Sequence, residues 1–109
     1  MTQVVFFGTG EDRIEGFVSE GHSGFAEEGE DIVCAAVSVL IINTVNSIER
    51  LTDARILCEE DPDYARICFE TQDFERADVQ LLLQSLLLGL KDIEQSYGTA
   101  FVEVSFKEV

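Results

Sequence analysis

The sequence is poor in basic residues. Among its 109 residues, 7 are Lys or Arg and 22 are Asp or Glu, which gives a formal net charge of −15 at pH 7. The electrostatic field of this net negative charge repels phosphate backbones and anionic lipid headgroups, and it attracts cationic partners. We therefore expect no binding to nucleic acid or to a membrane, and we expect a basic protein as the partner.

The chain also lacks a long, uninterrupted apolar segment. The apolar run at residues 4–7 is too short for the core of a signal peptide, and the most apolar stretch, residues 32–42, falls short of the roughly 20 residues that cross a bilayer. The three cysteines, an odd number, suit a reducing compartment better than a disulfide framework. These features predict a soluble protein located in the cytoplasm.

Histidine is nearly absent. His22 is the single histidine, so every mechanism that needs an imidazole depends on it. It stands at no close zinc-ligand spacing with Cys34, Cys58 or Cys68. The Gly8-Thr9-Gly10 segment opens a predicted hairpin rather than the helix of a phosphate-binding motif. We therefore predict no metal, no nucleotide and no other cofactor.

Short runs rich in Val, Ile and Phe predict five strands. Two hairpins are expected because turn-forming residues separate the members of each pair. The predicted strands are residues 2–7 and 13–20 in the first hairpin, 54–60 and 64–71 in the second, and 100–106 at the end of the chain.

Two segments with apolar residues at intervals of three and four predict helices. The first covers residues 32–50 with Asp31 as its N-cap, and the second runs from an N-cap at Asp73 to a terminating Gly98. The resulting order is ββαββαβ. It predicts an α+β two-layer sandwich in one domain, residues 1–109, with two helices packed on one mixed or antiparallel sheet.

Cys34 lies near the start of the first predicted helix. If Asp31 caps that helix, Cys34 is its third residue, where backbone N–H groups are unpaired and can also bind an oxyanion. The helix dipole contributes only about 0.3–1 kcal/mol, so most of the stabilisation of a thiolate must come from the imidazolium of His22. Asp31 either caps the helix or orients the imidazole, and we rank the cap first. Ser38, one turn beyond Cys34, can hydrogen-bond within the site.

His22 belongs to a glycine-rich segment, residues 21–30, which predicts a mobile loop. This loop carries Gly21, Ser23, Gly24, Phe25 and Gly29. Each residue also has an ordinary interpretation, because most cysteines are inert packing residues and most loop histidines are solvated. The position of Cys34 near the start of a helix favours a reactive thiol over an inert packing residue.

Residues 21–40 read Gly-His-Ser-Gly-Phe-Ala-Glu-Glu-Gly-Glu-Asp-Ile-Val-Cys-Ala-Ala-Val-Ser-Val-Leu. This stretch resembles the signature of the bacterial ribosomal-processing cysteine proteases, the Prp family, in its Gly-His pair, in the glycine before an acidic helix start and in the Asp-Ile-Val-Cys-Ala-Ala-Val-Ser run. Length and predicted element order agree over the whole chain. Ser23 departs from the family pattern, because a small apolar residue is expected there.

The resemblance implies a homodimer in which His22 and Cys34 form the catalytic pair and residues 21–30 close over the substrate. It implies a substrate as well: a large-subunit ribosomal protein whose N-terminal extension is cut after an aromatic pair. The leading hypothesis is therefore peptide-bond hydrolysis through a thioester on Cys34, with His22 as base and then acid. The alternatives are a non-enzymatic dimeric module that binds a basic ribosomal protein, and a redox-sensing thiol.

Overall fold

The computed structural model describes residues 1–10, 13–21, 30–63 and 65–109, and for Glu30 and Asp31 it describes the backbone alone. Within these residues the chain forms five strands and two helices, which confirms the predicted order ββαββαβ. The elements are β1 (Thr2–Gly8), β2 (Gly16–Glu20), α1 (Glu30–Leu51), β3 (Ile56–Asp61), β4 (Arg66–Thr71), α2 (Ala77–Tyr97) and β5 (Val102–Glu108).

The five strands form one sheet in the order β3-β4-β2-β1-β5. β1 pairs antiparallel with β2, β2 with β4, and β4 with β3, whereas β5 lies parallel to β1. β4 and β5 therefore run in the same direction, and α2 forms the crossover that carries the chain from β4, past β2 and β1, to the edge of the sheet beside β1. The sheet is therefore mixed, which decides between the two predicted forms.

The helices cover one face of the sheet. Side chains alternate between the two faces along each strand, so every second residue of a strand lies on the covered face. On that face Phe6, Phe17 and Phe69 are buried on three neighbouring strands. The ring centroids of Phe6 and Phe17 are 5.6 Å apart, and those of Phe17 and Phe69 are 5.2 Å apart. The helices close the core with their own buried residues: Val33, Val37, Ile41 and Ile48 from α1, and Val79, Leu83, Leu86 and Leu90 from α2.

Four predicted strands, β2 to β5, begin two or three residues later than expected. In β2 and β3, side chains from elsewhere bind residues just before the observed start. The side-chain amide of Gln80 accepts from the Ile14 N–H at 3.0 Å and donates to the Ile14 carbonyl at 2.7 Å, so β2 pairing starts only at Gly16. The Arg55 N–H donates to Asp73 Oδ2 at 2.6 Å, so β3 starts at Ile56.

The two predicted N-caps are wrong. α1 begins at Glu30, so Asp31 is its second residue and cannot occupy the cap position. Asp73 binds Arg55, and α2 begins only at Ala77. The predicted end of α2 is confirmed: Gly98 has a φ of 97°, and its N–H donates to the Glu94 carbonyl at 2.7 Å.

α1 is longer and more continuously apolar than the sequence argument assumed. Its segment Ile32–Leu51, 20 residues, is long and apolar enough by length and composition to cross a membrane. The same segment buries Val33, Val37, Ile41 and Ile48 against the sheet and α2. We therefore interpret α1 as the core helix of a compact globule.

Candidate active site

Cys34 is the fifth residue of α1 and is half-buried. The neighbouring Val33 and Val37 are buried in the core, which fixes this end of the helix above the sheet. The sulfur atom of Cys34 lies 3.4 Å from Oγ1 of Thr2, the first residue of β1. Cys34 therefore contacts the end of β1 while part of its surface faces solvent.

Gly21 lies beside the same threonine. Its N–H donates to the Ala65 carbonyl at 2.9 Å. A methyl group placed on Gly21 would lie 3.9 Å from Thr2 Oγ1. The residue that precedes His22 in the chain is thus next to the residue that contacts the Cys34 sulfur.

The remaining loop residues of the predicted site fall outside the part of the chain that the structure describes. These are His22, Ser23, Gly24, Phe25 and Gly29, together with the side chain of Asp31.

Ser38 is exposed one helical turn beyond Cys34 and lines a cleft of about 200 Å³. The opposite wall is the β3–β4 turn, with Glu60, Asp61 and Ala65. Since Ala65 also binds Gly21, the cleft adjoins the position of Cys34. Within the described residues, the hydrogen bond of the Cys34 sulfur goes to Thr2, and Ser38 contributes to the cleft instead.

The observed start of α1 changes the electrostatics of the site. Because the helix begins at Glu30, its unpaired N–H groups belong to the first turn, residues 30–32, whereas Cys34 opens the second turn. The effect of the helix dipole falls off within the first turn. The helix therefore helps a thiolate at Cys34 less than the sequence suggested, and neighbouring side chains must contribute more.

Sequence reasoning missed Thr2, which lies 32 positions from Cys34 in the chain. The available signal was the alternation of Thr2, Val4 and Phe6, which places all three side chains on one face of β1. That pattern identifies a polar residue at the edge of an apolar row. It does not reveal which helix residue lies above it.

The other two cysteines have different surroundings. Cys58 and Cys68 are half-buried, free thiols on the paired strands β3 and β4. Burial raises the pKa of the Cys58 thiol, and the nearby Glu60 carboxylate adds to the increase. In the described part of the chain, no group of three or more His, Cys, Asp or Glu side chains is arranged to hold a metal ion.

Comparison with known proteins identifies the family. The family model described as cysteine protease Prp matches residues 1–102. The chain is 32% identical over 88 residues to the ribosomal processing cysteine protease Prp of Staphylococcus aureus (strain Mu50 / ATCC 700699), covering 81% of this chain and 83% of that protein. It is 36% identical over 85 residues to the Prp of Bacillus subtilis (strain 168), covering 74% and 76%.

The fold agrees over its full length with a solved relative. The crystal structure of an essential ribosomal processing protease Prp from S. aureus, in complex with a substrate peptide, superimposes with a TM-score of 0.91 at 28% identity, covering 98% of this chain and all of that one. Sequence and structure therefore agree, and this chain belongs to the Prp family of cysteine proteases.

Proposed function

We propose that this protease cuts the N-terminal extension from a large-subunit ribosomal protein, with Cys34 as nucleophile and His22 as general base and acid. One observation carries the assignment. Gly21 lies against Thr2, and Thr2 contacts the Cys34 sulfur. Since consecutive Cα atoms are about 3.8 Å apart, the closeness of Gly21 to Thr2 supports the pairing of the next residue, His22, with Cys34.

The proposed chemistry is an acyl transfer in two halves. The imidazole of His22 takes the thiol proton, and the Cys34 sulfur attacks the scissile carbonyl carbon, whose π electron pair moves to the oxygen. Collapse of this intermediate expels the amine, which receives the proton from the imidazolium, and leaves a thioester. Water, deprotonated by the same imidazole, then attacks the thioester and releases the acid and the thiol. In this proposal the unpaired N–H groups of the first turn of α1 stabilise the oxyanion.

The remaining site residues receive supporting roles in this proposal. Gly21 holds the chain beside Thr2, Asp31 orients the imidazole, and Ser38 lines the cleft beside Cys34. The loop that contains Ser23, Gly24, Phe25 and Gly29 closes over the substrate and excludes water.

A ribosomal protein suits this chain as a substrate. The curated relatives are named ribosomal processing proteases, and the S. aureus relative was solved with a substrate peptide. Ribosomal proteins are basic, whereas this chain has a net charge of −15. The cleft beside Ser38 is lined by Glu60, Asp61 and Arg66, and Arg66 pairs with Glu20, so basic residues near the cut bond would meet an excess of carboxylates there. We propose cleavage after an aromatic pair, in the cytoplasm, where ribosomal proteins are made.

The test is cleavage of an extended ribosomal protein under reducing conditions, followed by mass spectrometry. We expect one cut near the N-terminus, and we expect Cys34→Ala and His22→Ala each to lose it while both still bind the substrate. Binding without any cleavage by the unaltered protein would favour the acidic binding module. Cleavage that persists in Cys34→Ala would exclude the cysteine mechanism.

We also propose that the protein is a homodimer that pairs through its helix layer. Large apolar side chains remain exposed on the outer side of both helices in this single chain: Ile32, Val39 and Ile42 on α1, and Leu81 and Leu88 on α2. An apolar patch shared by two adjacent helices is typical of a protein interface. A second copy would cover it.

The mass in solution tests the dimer. Val39 is 65% exposed on α1, and we expect Val39→Asp to convert a dimer into a monomer in light scattering after gel filtration. Leu57→Asp is the matched control, because Leu57 is 52% exposed but lies on β3 and not on a helix. A monomeric unaltered protein, or equal effects of the two changes, would contradict the proposed interface.

A further inference from the structure

The hydroxyl of Thr2 and the sulfur of Cys34 are held together by the core. Their separation is 3.4 Å, and Thr2 is 4% exposed, so the hydroxyl is shielded from bulk water. The backbone of Thr2 is fixed by its N–H bond to the Phe101 carbonyl at 2.9 Å, and the backbone of Cys34 by the buried Val33 beside it. The contact therefore joins a paired strand to a helix turn that is packed on the core.

The donor and the strength of this hydrogen bond depend on whether the sulfur is a thiol or a thiolate. With a neutral thiol, either atom can be the donor, and a thiol is a weak partner in both roles. A thiolate has no proton to give, so the hydroxyl must donate to it, in a charge-assisted bond that is stronger than the neutral one. The bond therefore favours the charged form.

We propose that Thr2 is a thiolate-stabilising residue: its hydroxyl donates a hydrogen bond to the reactive sulfur of Cys34. The hydroxyl keeps its own proton, and the thiol proton goes to the base. This inference rests on the proposed function only in taking Cys34 as the nucleophile. The hydrogen bond adds stabilisation of the thiolate that the helix dipole does not provide, because Cys34 lies beyond the first turn of α1.

Other charges near this contact remain the same in all the variants that test it. Among them are the amino group of Met1, which precedes Thr2 in the chain, and Glu20, which lies opposite Gln3 in the β1–β2 pair. The acidic residues 30 and 31, which precede Cys34 in the sequence, are unchanged as well. The proposed base, the imidazole of His22, is also unchanged. A difference between variants at position 2 therefore reports the hydroxyl.

The experiment is the rate of iodoacetamide alkylation of each cysteine against pH, resolved by peptide mass spectrometry, in the full-length protein. For Thr2→Val we expect the midpoint of the Cys34 profile to rise by about one pH unit, since a bond to a charged group is lost. The thiolate fraction then falls about tenfold at low pH while each thiolate becomes about threefold more nucleophilic, because nucleophilicity follows basicity with a slope near 0.4–0.5. The two profiles should therefore cross: Thr2→Val reacts about threefold more slowly at low pH and about threefold faster at high pH.

Matched variants separate this effect from a loss of packing. Thr2→Ser retains the hydroxyl and should keep the profile of the unaltered protein. Thr71→Val removes another buried threonine hydroxyl, one that binds the Arg55 carbonyl, and should leave the Cys34 profile unchanged. Cys58 is the internal reference in every sample, since burial raises the pKa of its thiol. If Thr2→Val does not fold, Thr2→Ala tests the same hydroxyl.

Three results would overturn the inference. They are superimposable profiles for Thr2→Val and the unaltered protein, a uniform loss of rate at all pH values, and an equal shift in Thr71→Val. None of them depends on protease activity. Failure to cleave the ribosomal substrate would reject the proposed function and would leave the alkylation result to decide the role of Thr2.

Discussion

Gly16 and Gly21 stand at the two ends of β2 and differ in the space around them. A methyl group on Gly16 would lie 2.2 Å from the Phe69 carbonyl oxygen and 2.5 Å from the Phe7 ring. On Gly21 its nearest neighbour would be the Ala65 side chain at 3.5 Å, an ordinary contact. The first glycine is required by packing, whereas the second is not.

This difference predicts that the same substitution destabilises the protein at Gly16 and has little effect at Gly21. Gly16→Ala should lower the free energy of unfolding by about 1–3 kcal/mol, since the sheet backbone has to move. Gly21→Ala should change it by no more than about 1 kcal/mol. Urea unfolding followed by circular dichroism measures both. Any loss of cleavage in a stable Gly21→Ala protein then reports the surroundings of Cys34 and not a folding defect, whereas an unstable Gly21→Ala would contradict the steric argument.

Asp73 fixes the junction between two elements. Its carboxylate accepts from the Arg55 backbone N–H at 2.6 Å and from the Arg55 guanidinium at 3.2 Å, which attaches the start of β3 to the segment before α2. The hydrogen bonds from Arg55 lower the pKa of Asp73. The folded protein therefore holds this carboxylate in its charged form more firmly than the unfolded chain does.

The lowered pKa predicts how the contribution of Asp73 to stability depends on pH. The contribution is fully present above the unfolded value of about 3.9 and is lost as the pH falls through the lower folded value. Asp73→Asn should thus be less stable than the unaltered protein at pH 7, and the gap should narrow at pH 3 and below. Urea midpoints at the two pH values measure the gap. Asp78→Asn is the comparison: Arg76 lowers the pKa of Asp78, so its gap should narrow in the same direction, but it should be smaller because this pair spans only two positions and joins no separate element. A gap for Asp73→Asn that is constant with pH would contradict the proposed role.

These junctions also show why the sequence predicted the elements but not all of their ends. Periodicity identified each strand and helix, because that signal is local. The strand starts after Ile14 and Arg55 are set by Gln80 and Asp73, which are 66 and 18 positions away. Nothing in the local sequence records such a partner.

The candidate site likewise contains one residue that the local sequence identifies and one that only a contact between distant parts of the chain identifies. Cys34 could be selected from its position near a helix start, and that position is confirmed to within two residues. Thr2 could not be selected, since its contact with Cys34 exists only after β1 is placed beneath α1. The wrong assignment of Asp31 as N-cap had a direct consequence, because it made the helix dipole appear closer to Cys34 than it is.

At the scale of the whole molecule, the net charge of −15 makes a prediction about rate. A strongly acidic protein attracts a basic substrate over a distance set by the Debye length, which falls from about 30 Å at 0.01 M salt to about 3 Å at 1 M. We expect kcat/KM for a basic ribosomal substrate to fall about tenfold or more across this range, because steering contributes to the encounter rate. The control is a peptide with the same cleavage sequence in which Ser replaces the Lys and Arg residues. It lacks the charges that the field acts on, so its kcat/KM should change far less. Equal losses for the two substrates would show that salt acts on the protease itself, and would contradict charge as a basis for the proposed choice of a basic substrate.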